Sequence, residues 1–129
     1  MKKLILLFFI LLSTMFSCSK NDEIKQCINF VTTGLETVEL IPTADMSGAI
    51  YKVDFPISNG CGKFDKFEEI INGNTRIIKV IIKYEGCICT QDFFTQSANY
   101  VFTTSIPGTY ILKFQKTDGS FITETVVIE

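Results

Sequence analysis

Cysteines are the most reactive side chains of this 129-residue chain, and four of the five lie after residue 26: Cys27, Cys61, Cys87 and Cys89. Four thiols could form two disulfides, hold a zinc ion, or provide a redox couple at the Cys87-Ile88-Cys89 pair. Residues i and i+2 of an extended strand lie about 6.5–7 Å apart, whereas a disulfide needs Cβ atoms about 3.5–4.5 Å apart. A bond between Cys87 and Cys89 is therefore not expected. Cys27 and Cys61 are expected to pair with these two residues, in either order.

The surroundings of Cys87 and Cys89 favour structural disulfides over the other two chemistries. No Lys, Arg or His lies within two residues of either cysteine to lower the pKa of its thiol. The spacing of the four cysteines also differs from the paired two-residue spacing of zinc ribbons. We therefore expect no metal and no cofactor. A thiol-active redox protein that uses the Cys-x-Cys pair is the alternative.

The chain has no His, and this absence excludes several kinds of catalysis at once. Without imidazole there is no Ser-His-Asp or Cys-His nucleophile and no His-ligated metal. Neither a Gly-rich phosphate loop nor a nucleophile elbow occurs in the sequence. The formal net charge of −2 argues against a nucleic-acid partner, which would require a basic face. We predict that the protein is not an enzyme and does not bind nucleic acid.

The N-terminus predicts export from the cytoplasm. Lys2 and Lys3 precede an unbroken apolar run at residues 4–12. Nine residues at about 1.5 Å each cannot cross a hydrocarbon layer of about 30 Å as a helix. A positive start, a short apolar core and small residues before a cysteine are typical of a signal peptide at residues 1–17. An uncleaved anchor and an ordinary secretory signal are the alternatives.

The residues around Cys18 suggest how the exported chain is held. Met15-Phe16-Ser17-Cys18 resembles the lipobox of bacterial lipoproteins. The resemblance implies that Cys18 is diacylated on sulfur, becomes the new N-terminus and anchors the protein to a membrane, with the outer membrane expected. Loss of Lys2 and Lys3 with the signal peptide would make the mature chain more acidic, so attachment must come from the acyl chains rather than from anionic headgroups.

Residues 18–26 are expected to connect the lipidated cysteine to the domain as a solvated tether, because the charged stretch SKNDE cannot form a core. In some Gram-negative lipoproteins a short run of Lys and acidic residues after the lipidated Cys acts as a surface-export signal, and this stretch resembles one. A hydrophilic spacer on a lipoprotein facing the periplasm is the alternative reading.

From residue 27 onward the apolar pattern has a period of two. In residues 76–84 (RIIKVIIKY) the even positions place apolar side chains on one face, and residues 49–55, 99–104, 108–115 and 121–129 alternate in the same way. Turn signals stand at 72–74 (NGN) and 117–120 (TDGS). Residues 64–71 tolerate a helix but are predicted to form a strand. Residues 27–129 are therefore predicted to form an antiparallel β-sandwich of seven to eight strands.

One segment narrows this architecture to an immunoglobulin-like sandwich. Residues 106–112 (IPGTYIL) resemble the start of the penultimate strand of immunoglobulin-like domains, where a Tyr after a Gly turn bonds back to upstream backbone in a tyrosine corner. The chain from residue 49 to 129 is also similar to uncharacterised envelope lipoproteins, on the segments NGCGKF at 59–64 and EGCICT at 85–90. These resemblances imply a fold and a location but no catalytic residue.

The loop after Cys89 is the predicted binding surface. Gln91, Asp92, Phe93 and Phe94 place two adjacent aromatic rings in a polar stretch. Such rings either contact a partner, here a protein or a glycan, or fold inward, and the alternative is that one Phe plugs the end of the sandwich.

Three carboxylates form a second, weaker candidate: Asp65, Glu68 and Glu69. Paired carboxylates can perform acid–base chemistry on glycosides or bind Ca²⁺. On a strand, however, Glu68 and Glu69 would face opposite ways, so a solvated charged face is expected.

Taken as a whole, the sequence predicts a lipid-anchored, non-catalytic binding module, or a purely structural component of the envelope.

Overall fold

The computed structural model describes residues 27–43 and 48–129, so the predicted signal peptide, Cys18 and the tether lie outside the described residues. The described residues form no helix long and apolar enough to cross a membrane. The part of the chain that the structure describes contains eight strands: β1 (Ile28–Thr33), β2 (Thr37–Ile41), β3 (Gly48–Ile57), β4 (Gly62–Asn72), β5 (Thr75–Glu85), β6 (Phe94–Thr103), β7 (Gly108–Gln115) and β8 (Phe121–Ile128). The prediction of an all-β fold with seven to eight strands is confirmed, and residues 64–71 are part of β4.

The strands form two sheets. One contains β4, β5, β1, β7 and β8, and the other has the order β2-β3-β6. Strand β5 is the centre of the larger sheet, because β4 pairs along one side while β1 and β7 share the other. Strands β5 and β7 are parallel, whereas the other named strand pairs are antiparallel. The parallel pair arises because the chain crosses to the other sheet as β6 before it returns as β7.

The core lies between the two sheets, at the positions that the alternating pattern predicts. Apolar side chains of β3, β5, β6, β7 and β8 are buried, and no polar or charged residue is buried among the described residues. Aromatic rings join the sheets: the Phe114 ring centroid lies 5.4 Å from that of Tyr51 and 5.4 Å from that of Tyr100. Burial of these faces is the main stabilising contribution.

Both predicted turns are hairpins. The turn at 72–74 joins β4 to β5, and the turn at 117–120 lies between β7 and β8. Gly73 and Gly119 have φ values of 59° and 82°, in the region that glycine adopts without steric cost.

The predicted tyrosine corner is present. The Tyr110 hydroxyl donates a hydrogen bond to the Ile106 carbonyl oxygen at 2.9 Å. Tyr110 is buried and its ring centroid lies 5.1 Å from that of Phe102. Leu112 follows two residues later and is fully buried. The corner therefore holds the entry to β7 against the loop that precedes it.

Replacing Tyr110 with Phe is expected to lower the free energy of unfolding by about 1 kcal/mol, because the ring stays while the bond to the Ile106 carbonyl is lost. Urea denaturation measures this loss. Tyr51→Phe is the matched control, since no described residue bonds to the Tyr51 hydroxyl, and its stability should stay close to that of the unsubstituted protein. Equal stability of the two variants would contradict a stabilising corner.

Candidate functional site

The two disulfides lie at one end of the sandwich. Cys27 is bonded to Cys87 and Cys61 to Cys89, with Cα–Cα distances of 5.0 and 5.4 Å. The sequence left two pairings open, and the structure has this one. Cys87 and Cys89 are thus in separate bonds rather than joined to each other.

The backbone around Cys87 differs from the extended strand assumed in the sequence argument. Strand β5 ends at Glu85, and Cys87 and Cys89 lie in the loop 86–93. A Cβ on Gly86 would lie 2.7 Å from the Cys61 sulfur, so glycine is needed for the close approach of the loop to the second disulfide. The two cysteines therefore reach different partners from a curved loop.

Three segments make up what we call the disulfide tip: Cys27, the loop 58–61 and the loop 86–93. Backbone hydrogen bonds tie them together, from Gly60 N–H to the Thr90 carbonyl at 2.9 Å and from Gly86 N–H to the Cys27 carbonyl at 2.9 Å. Together with the disulfides, these bonds hold the loop 86–93 against Cys27 and the loop 58–61 against the loop 86–93. The chain thus enters the sandwich at the tip.

The tip exposes large apolar side chains. Ile88 is 96% exposed and Phe93 is 83% exposed, and Phe94, the first residue of β6, is 43% exposed. The predicted alternative, a Phe that plugs the end of the sandwich, does not match these values, because neither ring is buried. Ile57, fully buried and paired with Phe94 in the β3–β6 ladder, lies at that end of the core instead.

The predicted binding residues Gln91, Asp92, Phe93 and Phe94 do lie together at the tip, and all four are exposed. Sequence reasoning missed Ile88. The Cys-x-Cys spacing was the available signal. When the side chains of Cys87 and Cys89 are both bonded to other cysteines, the side chain of the residue between them is left to solvent.

A shallow depression of about 180 Å³ lies beside the two rings. On its rim the Thr95 hydroxyl donates a hydrogen bond to the Glu36 carboxylate at 3.1 Å. Its lining residues are Glu36, Pro56, Ile57, Phe93, Phe94 and Thr95. A surface of this size can contact a partner.

The carboxylates of β4, the second candidate, do not form one cluster, because Glu69 has different neighbours from Asp65 and Glu68. The Glu69 carboxylate pairs with Arg76 at 2.8 Å and accepts a hydrogen bond from the Tyr100 hydroxyl at 3.0 Å. Burial raises the pKa of the Tyr100 hydroxyl, and the negative charge of Glu69 raises it further. Glu69 thus belongs to a structural network between the sheets.

Asp65 and Glu68, by contrast, line an open depression of about 430 Å³ on the outer face of the larger sheet. The prediction that Glu68 and Glu69 point apart is in accord with these different contacts. Within residues 27–43 and 48–129, no group of three or more His, Cys, Asp or Glu side chains could hold a metal ion.

The two packed sheets and the disulfide tip define a small β-sandwich domain. Residues 51–128 match the model of a family described as the ORF11 beta-sandwich domain. This match covers more than half of the chain, so the chain belongs to that family. No curated protein and no solved structure matches the chain. The match includes the loops 58–61 and 86–93 and the tyrosine corner, whereas β1 and β2 precede it.

Proposed function

We propose that the protein is a lipid-anchored, non-catalytic module of the bacterial cell envelope, attached to the outer membrane through acyl chains on Cys18. One observation carries the proposal: Cys27, Cys61, Cys87 and Cys89 pair among themselves. Disulfides persist in oxidising compartments, which agrees with export, and neither bond takes the sulfur of Cys18. The lipobox-like sequence around this fifth cysteine suggests that its sulfur is acylated.

The domain works by contact rather than by chemistry in this proposal. The exposed loop at 91–94 and the edges of the sheets are the surfaces through which it would meet a protein or a glycan. A purely structural envelope role has the same anchor but no such contacts. The stretch 19–23 favours export to the cell surface, and proteolysis of intact cells distinguishes a surface from a periplasmic orientation.

The alternative is a thiol-active envelope protein that uses Cys87 and Cys89. Thiol counting under denaturing, non-reducing conditions separates the two functions. If the protein is a binding module with an acylated Cys18, we expect no free thiol either before or after treatment with mild reductant. A pair of thiols released by mild reductant would favour the redox protein.

Mass spectrometry of the native protein and of a Cys18→Ser variant tests the anchor. We expect the native protein to begin at Cys18 and to carry acyl mass, and the variant to retain residues 1–17 without acyl mass, because the acylated sulfur is needed before the signal peptide is removed. The variant keeps both disulfides and serves as its own folding control. A native chain that begins at Met1 without added mass would contradict the proposal.

A further inference from the structure

We propose that the disulfide tip rests on the membrane itself, with Ile88 and Phe93 in the headgroup region of a zwitterionic bilayer. This inference deepens the proposed function and rests on it, since it takes the acyl anchor on Cys18 as the point of attachment. For the loop 91–94 it replaces the protein or glycan contact by a lipid contact, and the edges of the sheets remain available for a protein or glycan partner.

The position of the anchor is the first argument. Cys27 stands nine positions after Cys18, and nine extended residues span at most about 30 Å. Cys27 is bonded through its sulfur to Cys87, the residue directly before Ile88. The tip is therefore the part of the domain that is covalently nearest to the lipid. The far end of β4 lies roughly another 30 Å away, because Gly62 begins that strand at the tip and Ile71 stands nine residues further along.

The chemistry of the tip is the second argument. The transfer of almost fully exposed isoleucine and phenylalanine side chains out of water is favourable, and Phe is among the residues found on the apolar faces of helices that lie in the membrane interface. The loops 58–61 and 86–93 contain a single charged residue, Asp92, so little charge would have to be moved from water. That one charge is negative, and it favours a zwitterionic surface over an anionic one.

The rigidity of the tip is the third argument. Both loops are held by disulfides and by backbone hydrogen bonds to each other or to Cys27, so Ile88 and Phe93 are presented without further ordering of the loop backbone. The tether also gives the tip an effective concentration at the bilayer in the order of millimolar, so that the two apolar side chains need to supply only a weak contact. The domain would then stand upright, with the hairpin at 72–74 directed away from the membrane.

A single tryptophan tests this orientation, because the chain contains none. The mature acylated protein is placed in phosphatidylcholine vesicles whose acyl chains carry bromine, which quenches tryptophan on contact. We expect the emission of Phe93→Trp to be quenched roughly twofold or more relative to that of Ile71→Trp, a matched control at the other end of β4 that is 60% exposed. Adding Ile88→Ser to Phe93→Trp should reduce the quenching, and adding Ile71→Ser should not.

The possible outcomes distinguish the membrane contact of the disulfide tip from the acyl anchor on which it rests. Equal quenching of the two tryptophans, in protein that floats with the vesicles, would overturn the membrane contact and leave the anchor in place. A tryptophan at position 93 that responds to a glycan or a surface protein, but not to brominated lipid, would also overturn it. Protein without acyl mass that fails to float would overturn the anchor and the contact together.

Discussion

Joint replacement of Cys27 and Cys87 with serine is expected to lower the free energy of unfolding by about 4 kcal/mol. The bond closes a loop of 60 residues, and its loss restores the conformational freedom of that loop in the unfolded chain. It also releases the start of β1, which is paired with β5 directly after Cys27. For a domain of this size, such a loss is a large share of the total stability.

The matched variant is the joint replacement of Cys61 and Cys89 with serine. This bond closes a shorter loop, with a sequence separation of 28, and its loss should cost about 3.5 kcal/mol. Urea denaturation of both double variants under non-reducing conditions measures the difference, and the melting temperature should fall by roughly 15–30 °C in the first. A larger loss for the shorter loop would show that strain or contacts, rather than chain entropy, set the contribution of each bond.

Phe114→Ala is expected to cost about 3–5 kcal/mol, because it leaves a cavity in the middle of the core. The Phe114 side chain is fully buried and its ring contacts Tyr51 and Tyr100 across the sheets. Both of these residues lie on the smaller sheet, so the change removes apolar contacts that join the two layers. The expected result in denaturation is a lower midpoint with an unchanged slope.

Phe93→Ala is the control for that change, since the same side chain is removed from a position that is 83% exposed. Its stability should lie within about 0.5 kcal/mol of the unsubstituted protein. The comparison also bears on the tip, because a Phe93 variant of full stability separates a loss of contact from a loss of folding. A costly Phe93→Ala would show that the ring supports the sandwich, contrary to its exposure.

Several features could be predicted because they depend on neighbours in the sequence. The apolar side chains of residues 76–84 alternate because successive side chains of a strand point to opposite faces, and one face must be buried. The Asp-Gly turn at 118–119 and the Tyr110 corner likewise need only a few consecutive residues. The sequence also indicates a polar loop with two adjacent rings at 91–94, but it leaves open whether these rings are exposed or folded inward.

Other features could not be predicted, because they depend on residues far apart in the chain. Sequence spacing alone allows Cys87 and Cys89 each to form a disulfide with either Cys27 or Cys61. The choice depends on where β5 ends and how the loop 86–93 curves. The parallel pairing of β5 with β7 follows from the sheet to which β6 belongs, and an alternating pattern carries no information about which sheet a strand joins.

The amino-acid sequence by itself determined the class of fold, the positions of the hairpins and the inward-facing residues of the main strands, because these follow from short-range sterics and from the need to bury one face. The tertiary structure decided the partners of the four cysteines, the shared edge of β5 and the exposure of Ile88 and Phe93 beside the point of chain entry. These depend on where distant segments meet, and only the packing of the two sheets brings Cys27, the loop 58–61 and the loop 86–93 to one end.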